Sequence, residues 1–411
     1  MVARCQDVMM HLPDPTEPFL LLDDARVTGA APARLYRDPV DIVVARTLDE
    51  VQPALDRIGE AREDGLHAAG YLSYEAGHAL EPRLAGLSKA RSSGESAGES
   101  GSGMPLLWFG LFSSHRAIEP GAVEAILPDP ADAHVGPLRP LISRADYGAA
   151  FRQVQALIAA GDIYQANLTF PCALPIDGDP RAVYAALRGH ARAGYGGIVH
   201  TGEDWLLSFS PELFFTLVRG QLTARPMKGT AVRQADAMLD AAAVAALAAD
   251  PKQRAENLMI VDLLRNDLSR VARVGSVTVP ELFRVESYPT VHQMISTVRA
   301  RMLPGLSAVD VLRAIFPCGS ITGAPKIRAM EVVDMVESAP RGAYTGAIGR
   351  IDPDGNAAFN VAIRTICMKN GSNAGRVGLG SGVVADSDEE TEWRECLDKG
   401  LFLARTTLER A

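Results

Sequence analysis

GLGSGVVADSDEETEWRECLDK, residues 378–399, admits two readings, and the fold turns on the choice. Gly380, Gly382 and Ala385 have the G-x-G-x-x-A spacing of a dinucleotide-binding turn, whose glycines must open directly into a helix. Strand-like Val383 and Val384 follow instead. A helix is predicted only from Ser387, with Glu390 three residues on as its capping-box partner, running through TEWRECLDKGLFLARTTLER. The stretch therefore reads as strand, turn, helix, and the Rossmann reading loses its support.

Working outward, AYTGAIGRI, NVAIRTICM, WLLSFS, LFFTLV and QLTARPMKGT read as strands. Ser143 and Asp146 start a helix that carries Tyr147, Phe151, Val154 and Ile158 to Gly161, and Asp250-Pro251 starts another with Ile260, Leu264, Leu268 and Val271 on one face. Strands and helices do not alternate as regular βαβ units, which predicts an α+β fold. GSITGAPK, ending at Lys326, lacks the paired glycine and the Ser or Thr of a phosphate loop.

The chain has 411 residues, is 47% hydrophobic and carries a formal charge of -9, with no extended basic block. It is long enough for a large core and too acidic for sequence-independent nucleic-acid binding. No apolar run approaches a membrane span and the N-terminus has no secretory pattern, so a cytoplasmic protein is expected. The five cysteines show no C-x-x-C spacing and read as reduced, packed thiols. Residues 88–105, SKARSSGESAGESGSGMP, read as a mobile Ser/Gly-rich insertion between strand-like AAGYLSYEAG and PLLWFGLF. A proline-rich boundary at 128–142 divides the chain into an N-terminal region, 1–135, and a second region, 143–411.

Several polar residues invite a chemical reading. Glu392, Glu395 and Lys399 form one stripe of the last helix; alone, it fits either a solvated face or carboxylates for Mg²⁺, a cation that prefers oxygen ligands. Glu256, on its own helix, has the same two readings. Arg364 interrupts the apolar run FNVAIRTI, and an inward guanidinium must meet either a structural carboxylate or an anionic substrate. Lys228, in RPMKGTAVR, is either a solvated loop lysine or a nucleophile held in a rigid loop. A lysine near its reference pKa is neutral in only about one molecule in 2,500 at pH 7, so the second reading needs a special setting.

These signals occur in one order. GDIYQANLT, SFSPELFF, RPMKGT, RAENLMIVDLLRNDLSRV, VHQMIST, FPCGSITGAPKIRAME, RGAYTGAIG, NVAIRT, GSGVVADSDEETEWRE and LDK together resemble the chorismate-utilising enzymes, from about residue 143 to the C-terminus. DIVVA and GYLSYEAG resemble the N-terminal region of the same synthases. The resemblance implies large antiparallel sheets packed together and flanked by helices, with 143–411 as the chorismate-binding catalytic domain. It implies Glu256 and Glu395 as direct Mg²⁺ ligands and Glu392 as a carboxylate reaching the metal through water. Ser320, Tyr344, Arg364, Gly382 and Lys399 match positions that hold the substrate's carboxylates and ring, and Thr230 and His292 line the site.

Within the family, isochorismate and salicylate synthases place a water-activating lysine where Gln165 stands, and anthranilate synthases carry alanine at the position of Lys228. The chain is most similar to the aminodeoxychorismate synthases, component I, which carry lysine there. That similarity implies Lys228 as a covalent nucleophile, Glu212 as the acid for the departing hydroxyl, and a transaminase-type product, 4-amino-4-deoxychorismate, in para-aminobenzoate and folate biosynthesis. Ammonia is expected from a separate glutamine amidotransferase and the next step from a separate aminodeoxychorismate lyase. An anthranilate synthase and a non-catalytic chorismate-binding subunit are the alternatives. Gln253 stands where relatives often have an acidic residue, which bears on metal affinity, and LLDDA lacks the serine of the tryptophan-pocket pattern, so tryptophan regulation is not expected.

Overall fold

Strands such as Phe19–Asp23 (FLLLD) and Leu107–Phe112 (LWFGLF) are apolar without alternation, a pattern that demands cover on both faces. The computed structural model, which describes residues 11–84, 86–87, 103–288 and 291–403, shows that cover. Two large antiparallel sheets pack face to face, and helices lie on the outer face of each. Leu20, Tyr36, Val199 and Leu206 of the first sheet meet Ala69, Tyr71, Trp108, Phe112 and Ile348 of the second. Neighbouring residues such as Leu21, Ile198 and Leu207 turn outward to Val154, Leu187 and Cys396 on helices Arg144–Ala159, Pro180–Ala191 and Glu389–Asp398. On the other side Leu72, Leu107 and Phe215 meet Ile58, Ile260 and Leu312 on helices Leu48–Glu63, Pro251–Ser269 and Ala308–Ile315. The fold is α+β.

The first sheet runs Gly323–Ala324, Gln165–Gly178, Ala374–Val383, Thr365–Lys369, Asp204–Ser208, Gly196–His200, Phe19–Asp23, Ala33–Arg37, Arg116–Ile118. The second runs Met227–Val232, Val291–Arg301, Gln221–Arg225, Leu213–Val218, Ala357–Asn360, Ala347–Ile351, His67–Leu72, Leu107–Phe112, Asp41–Ala45. Strands from before residue 128 and after residue 143 therefore share both sheets. His67–Leu72 and Leu107–Phe112, which flank the Ser/Gly-rich insertion, pair directly with Gly70 opposite Phe109. Residues 88–102 of that insertion lie outside the described residues.

Two neighbouring crossovers between the sheets position the site. One leads from Asp204–Ser208 in the first sheet to Leu213–Val218 in the second; the other leads back from Ala357–Asn360 to Thr365–Lys369. They run side by side, bonded by Ser210 Oγ donating to the Val361 carbonyl at 2.6 Å, Val361 N–H to the Glu212 carbonyl at 3.1 Å, and Phe209 N–H to the Arg364 carbonyl at 3.0 Å. Arg364 accordingly does not interrupt one apolar strand, as FNVAIRTI suggested. It sits at the turn between two strands of different sheets, with a left-handed φ of 49°.

Two helix predictions match in detail: Ser143 caps Arg144–Ala159 by accepting from Asp146 N–H, and Asp250 caps Pro251–Ser269. The last helix departs from expectation. Its N-cap is Asp388, accepting from Thr391 N–H, while Ser387 Oγ accepts from Val384 N–H and donates to Glu392. It ends at Asp398 and a short 3-10 turn, Leu401–Leu403, follows, while residues 404–411 of the expected helix lie outside the described residues.

Candidate active site

Lys228 stands at an irregularity of its strand. Met227 pairs with Ile295 and Thr230 with Gln293, so two residues on one side face one on the other. A bulge of this kind re-aims a side chain. Gly229 has φ +92°, and a Cβ there would lie 3.0 Å from Gln253 Oε1 and 3.3 Å from the Met294 Cβ, so the position demands glycine on both counts. Asn257, next to Glu256, donates its amide to the Lys228 and Met294 carbonyls, each at 3.4 Å, and so fastens the helix Pro251–Ser269 to the bulged strand.

The Lys228 ammonium reaches across to the first sheet. A Cβ on Gly382 would sit 2.8 Å from Lys228 Nζ and 3.0 Å from Gln165 Nε2, so the missing side chain lets both groups close on the strand Ala374–Val383. Gln165 is fully buried, yet neither its Oε1 nor its Nε2 has a hydrogen-bond partner among the described residues. Reading the sequence registered Gln165 only as the absence of a base. Its burial without partners is the signal that the sequence could not carry.

Glu212 is buried at the first crossover, and Ser320 Oγ donates to its Oε1 at 2.6 Å. Burial pushes its pKa up to about 7; the Ser320 bond and the charges of Lys228 and Lys399 only partly oppose this. The carboxyl can thus hold or release a proton near neutral pH. Arg364, at the second crossover, makes no side-chain hydrogen bond or ion pair with any described residue, and burial alone lowers its pKa. A left-handed backbone and a guanidinium without a partner among the described residues set Arg364 apart.

The three carboxylates proposed for a metal lie on two helices. Glu256 has its pKa raised, first by burial and then by Glu395 and Glu392, against the pull of Lys228 and Lys252. For Glu395, burial acts upward but is outweighed by Lys399, whose Nζ is 2.8 Å away, and by Lys228 and Lys252, so the pKa is lowered. Glu392 accepts from Ser387 Oγ at 2.6 Å through Oε1, while its buried Oε2 has no hydrogen-bond partner among the described residues. Those residues contain no group of three or more His, Cys, Asp or Glu side chains gathered as a metal cage. The donor set nevertheless suits Mg²⁺, which takes one or two carboxylates and keeps several waters, and an orphaned carboxylate oxygen is what such a water would satisfy.

The remaining residues fall into two groups. Lys399 also donates to the Gly380 carbonyl at 2.8 Å, tying the last helix to the strand that carries Gly382. Thr230 accepts from Gln293 Nε2 at 3.0 Å. Tyr344 packs its ring where a Cβ of Gly378 would be, beside Thr169, Arg341 and Thr365, and makes no hydrogen bond to Lys228 or Glu212. His292 is not brought to the cluster. It is buried, with Nε2 2.8 Å from Asp240 and Nδ1 2.8 Å from Ser287 Oγ. Strand alternation puts His292, opposite Ala231, on one face and Gln293, opposite Thr230, on the other. Gln293 is thus the neighbour that the sequence reading missed.

The two neighbouring crossovers, with Lys228 reaching toward Gly382, the protonatable Glu212 and Arg364, form the candidate site. The chain belongs to the chorismate binding enzymes, whose family pattern it matches over residues 17–405. It is 47% identical over 258 residues to the aminodeoxychorismate synthase component 1 of Klebsiella aerogenes, covering 63% of this chain and 57% of that one. To the anthranilate synthase component 1 of Methanothermobacter thermautotrophicus it is 36% identical over 266 residues, covering 65% and 57%. The matched stretch thus spans little more than half the length of these relatives. The crystal structure of anthranilate synthase component I from Streptococcus pneumoniae superposes with a TM-score of 0.74 at 25% identity, covering 98% of this chain and 95% of that one.

Proposed function

We propose that this protein is the chorismate-converting component of an aminodeoxychorismate synthase. The observation that carries the reading is the pairing of Lys228, aimed by a bulge onto Gly382, with a buried Glu212 whose pKa is pushed up to about 7. A nucleophile beside an acid that is still protonated near neutral pH suits displacement of a hydroxyl, a poor leaving group until it accepts a proton.

In this reading Arg364 receives a carboxylate of chorismate, and Lys399, Ser320, Tyr344, Thr230 and Gly382 border the ring. After its ammonium has lost a proton to solvent, the Lys228 amine forms a bond to C2, the ring double bond shifts, and the C4–O bond breaks as Glu212 gives its proton to the departing oxygen, which leaves as water. Ammonia then bonds to C4 as the C2–N bond to Lys228 breaks, returning the lysine and leaving 4-amino-4-deoxychorismate. Glu256 and Glu395, with Glu392 behind a water, would hold Mg²⁺, which when bound supplies charge to anchor a substrate carboxylate and orient the ring. A glutamine amidotransferase would deliver the ammonia, and a separate lyase would consume the product.

The test is incubation of the protein with chorismate, Mg²⁺ and concentrated ammonium at about pH 7, where Glu212 still holds its proton in about half of the molecules, with products resolved by mass and fluorescence, beside Lys228→Ala. Aminodeoxychorismate from the wild type, falling by about 10³-fold or more in the variant, is the expected result. Fluorescent anthranilate from both proteins would assign the chain to the anthranilate synthases instead. Melting shifted by chorismate, with no product even after an amidotransferase is added, would make it a binding subunit.

A further inference from the structure

Lys252 and Asp386 form an ion pair, 3.0 Å between Nζ and Oδ2, that joins the two walls carrying the metal carboxylates. Lys252 lies one turn before Glu256 on the helix Pro251–Ser269, so the two side chains share a face. Asp386 lies in the segment between the strand Ala374–Val383 and the helix Glu389–Asp398 that bears Glu392 and Glu395. That segment is fixed from its other side: Gln155 Nε2 donates to the Val384 carbonyl at 2.8 Å and to the Ser387 carbonyl at 3.3 Å. Asp386 therefore holds a set position, while the long, half-exposed Lys252 side chain has a choice of anions.

Lys252 interacts most strongly with Asp386 and then with Glu256 and Glu392, and Glu395 also feels its charge. An ammonium swung onto those carboxylates would compete with a divalent cation for the same oxygens. We propose that Asp386 is a counter-ion that holds Lys252 away from the carboxylate group, so that this pair sets the protein's affinity for Mg²⁺. The inference rests on the Mg²⁺ reading above and adds to it two residues that touch neither the substrate nor the metal. Both are positioning residues.

The experiment is calorimetric titration of the full chain with Mg²⁺ alone, at low and at physiological ionic strength. Asp386→Asn is expected to weaken Mg²⁺ binding about 3- to 10-fold, Lys252→Gln to strengthen it by a similar factor, and the double variant to behave like Lys252→Gln, because the aspartate acts only through the lysine. The differences should shrink as salt is added. Weaker binding in both single variants would mean a structural strap, and no change in either would mean an idle surface pair; each result overturns the proposal while leaving the metal reading in place. Failure of the wild type itself to bind Mg²⁺ would instead overturn the metal reading. Melting temperatures without metal, expected to agree within about 2 °C for so exposed a pair, separate these outcomes from misfolding.

Discussion

Arg341 and Arg364 are interior arginines of the same chain, and they live in opposite ways. Arg341 is fully engaged: its guanidinium donates to Glu337 at 2.8 Å and 3.0 Å and to the carbonyls of Ile321 and Asn167 at 3.0 Å and 2.6 Å, and it stacks 4.4 Å over the Tyr74 ring. Its partners raise its pKa despite burial. Arg364 has no such partners among the described residues, its pKa is lowered by burial, and its backbone is left-handed. The difference separates charge spent on holding the fold from charge that, on the proposed function, would meet a ligand. Glu337 against Glu212, and the paired amide of Asn257 against the bare one of Gln165, repeat it.

The comparison is tested most severely by removing each arginine in turn. Arg341→Met leaves Glu337 buried without its counter-charge, which should cost about 3–5 kcal/mol of stability, read as the shift in a urea midpoint. Arg364→Met should leave stability unchanged or raise it by about 1 kcal/mol, while kcat/KM for chorismate falls about 10²–10³-fold. Destabilisation by Arg364→Met as large as that of Arg341→Met would erase the distinction.

Glu212 supplies the next test, through pH. Its pKa stands near 7 in the folded chain against 4.5 as its ordinary value, so between these values the folded state binds the proton more tightly than the unfolded one. Stability from this group is fully present below about pH 4.5 and is lost as pH rises to about 7, a change of about 3 kcal/mol. In Glu212→Gln that component vanishes, so unfolding measured from pH 5 to pH 8 should show a shallower decline in the variant. Parallel curves would mean that Glu212 is ionised throughout and cannot act as an acid. Activity should fall in the wild type as pH rises past about 7, since the proton donor is then lost.

What could be read in advance follows from how local each feature is. The helix Pro251–Ser269 and the start of Arg144–Ala159 were legible because caps and apolar spacing are written within a few residues. Lys228 and Glu212 could be singled out from their motifs, but the bulge at Met227–Thr230 depends on register with Val291–Arg301, some 60 residues away, and left no local trace. FNVAIRTI looked like one strand because both sheets are covered on both faces, so the apolar pattern runs on unbroken where the chain changes sheets. His292 and Gln293 could be placed on opposite faces by alternation, but which face meets the cleft is a fact of pairing. Ser387 and Asp388 are equally good caps by composition; the demand of Glu392 for a hydrogen bond decides between them.

Gln165 gives the smallest effect and the finest version of the comparison. A carboxamide that is fully buried and unbonded at both ends among the described residues is a penalty that the fold carries beside Lys228. Gln165→Leu, close in volume, removes both orphaned atoms together and should raise stability by about 1 kcal/mol, detectable as a rise of about 1 °C in Tm. The same change should lower kcat/KM for chorismate, because a group kept unbonded in the free protein is available to the ligand. A stabilised but slower variant places Gln165 with Arg364, among groups held open for the substrate. A destabilised one would show that its amide is satisfied by bound water, and would move it to the side of Arg341.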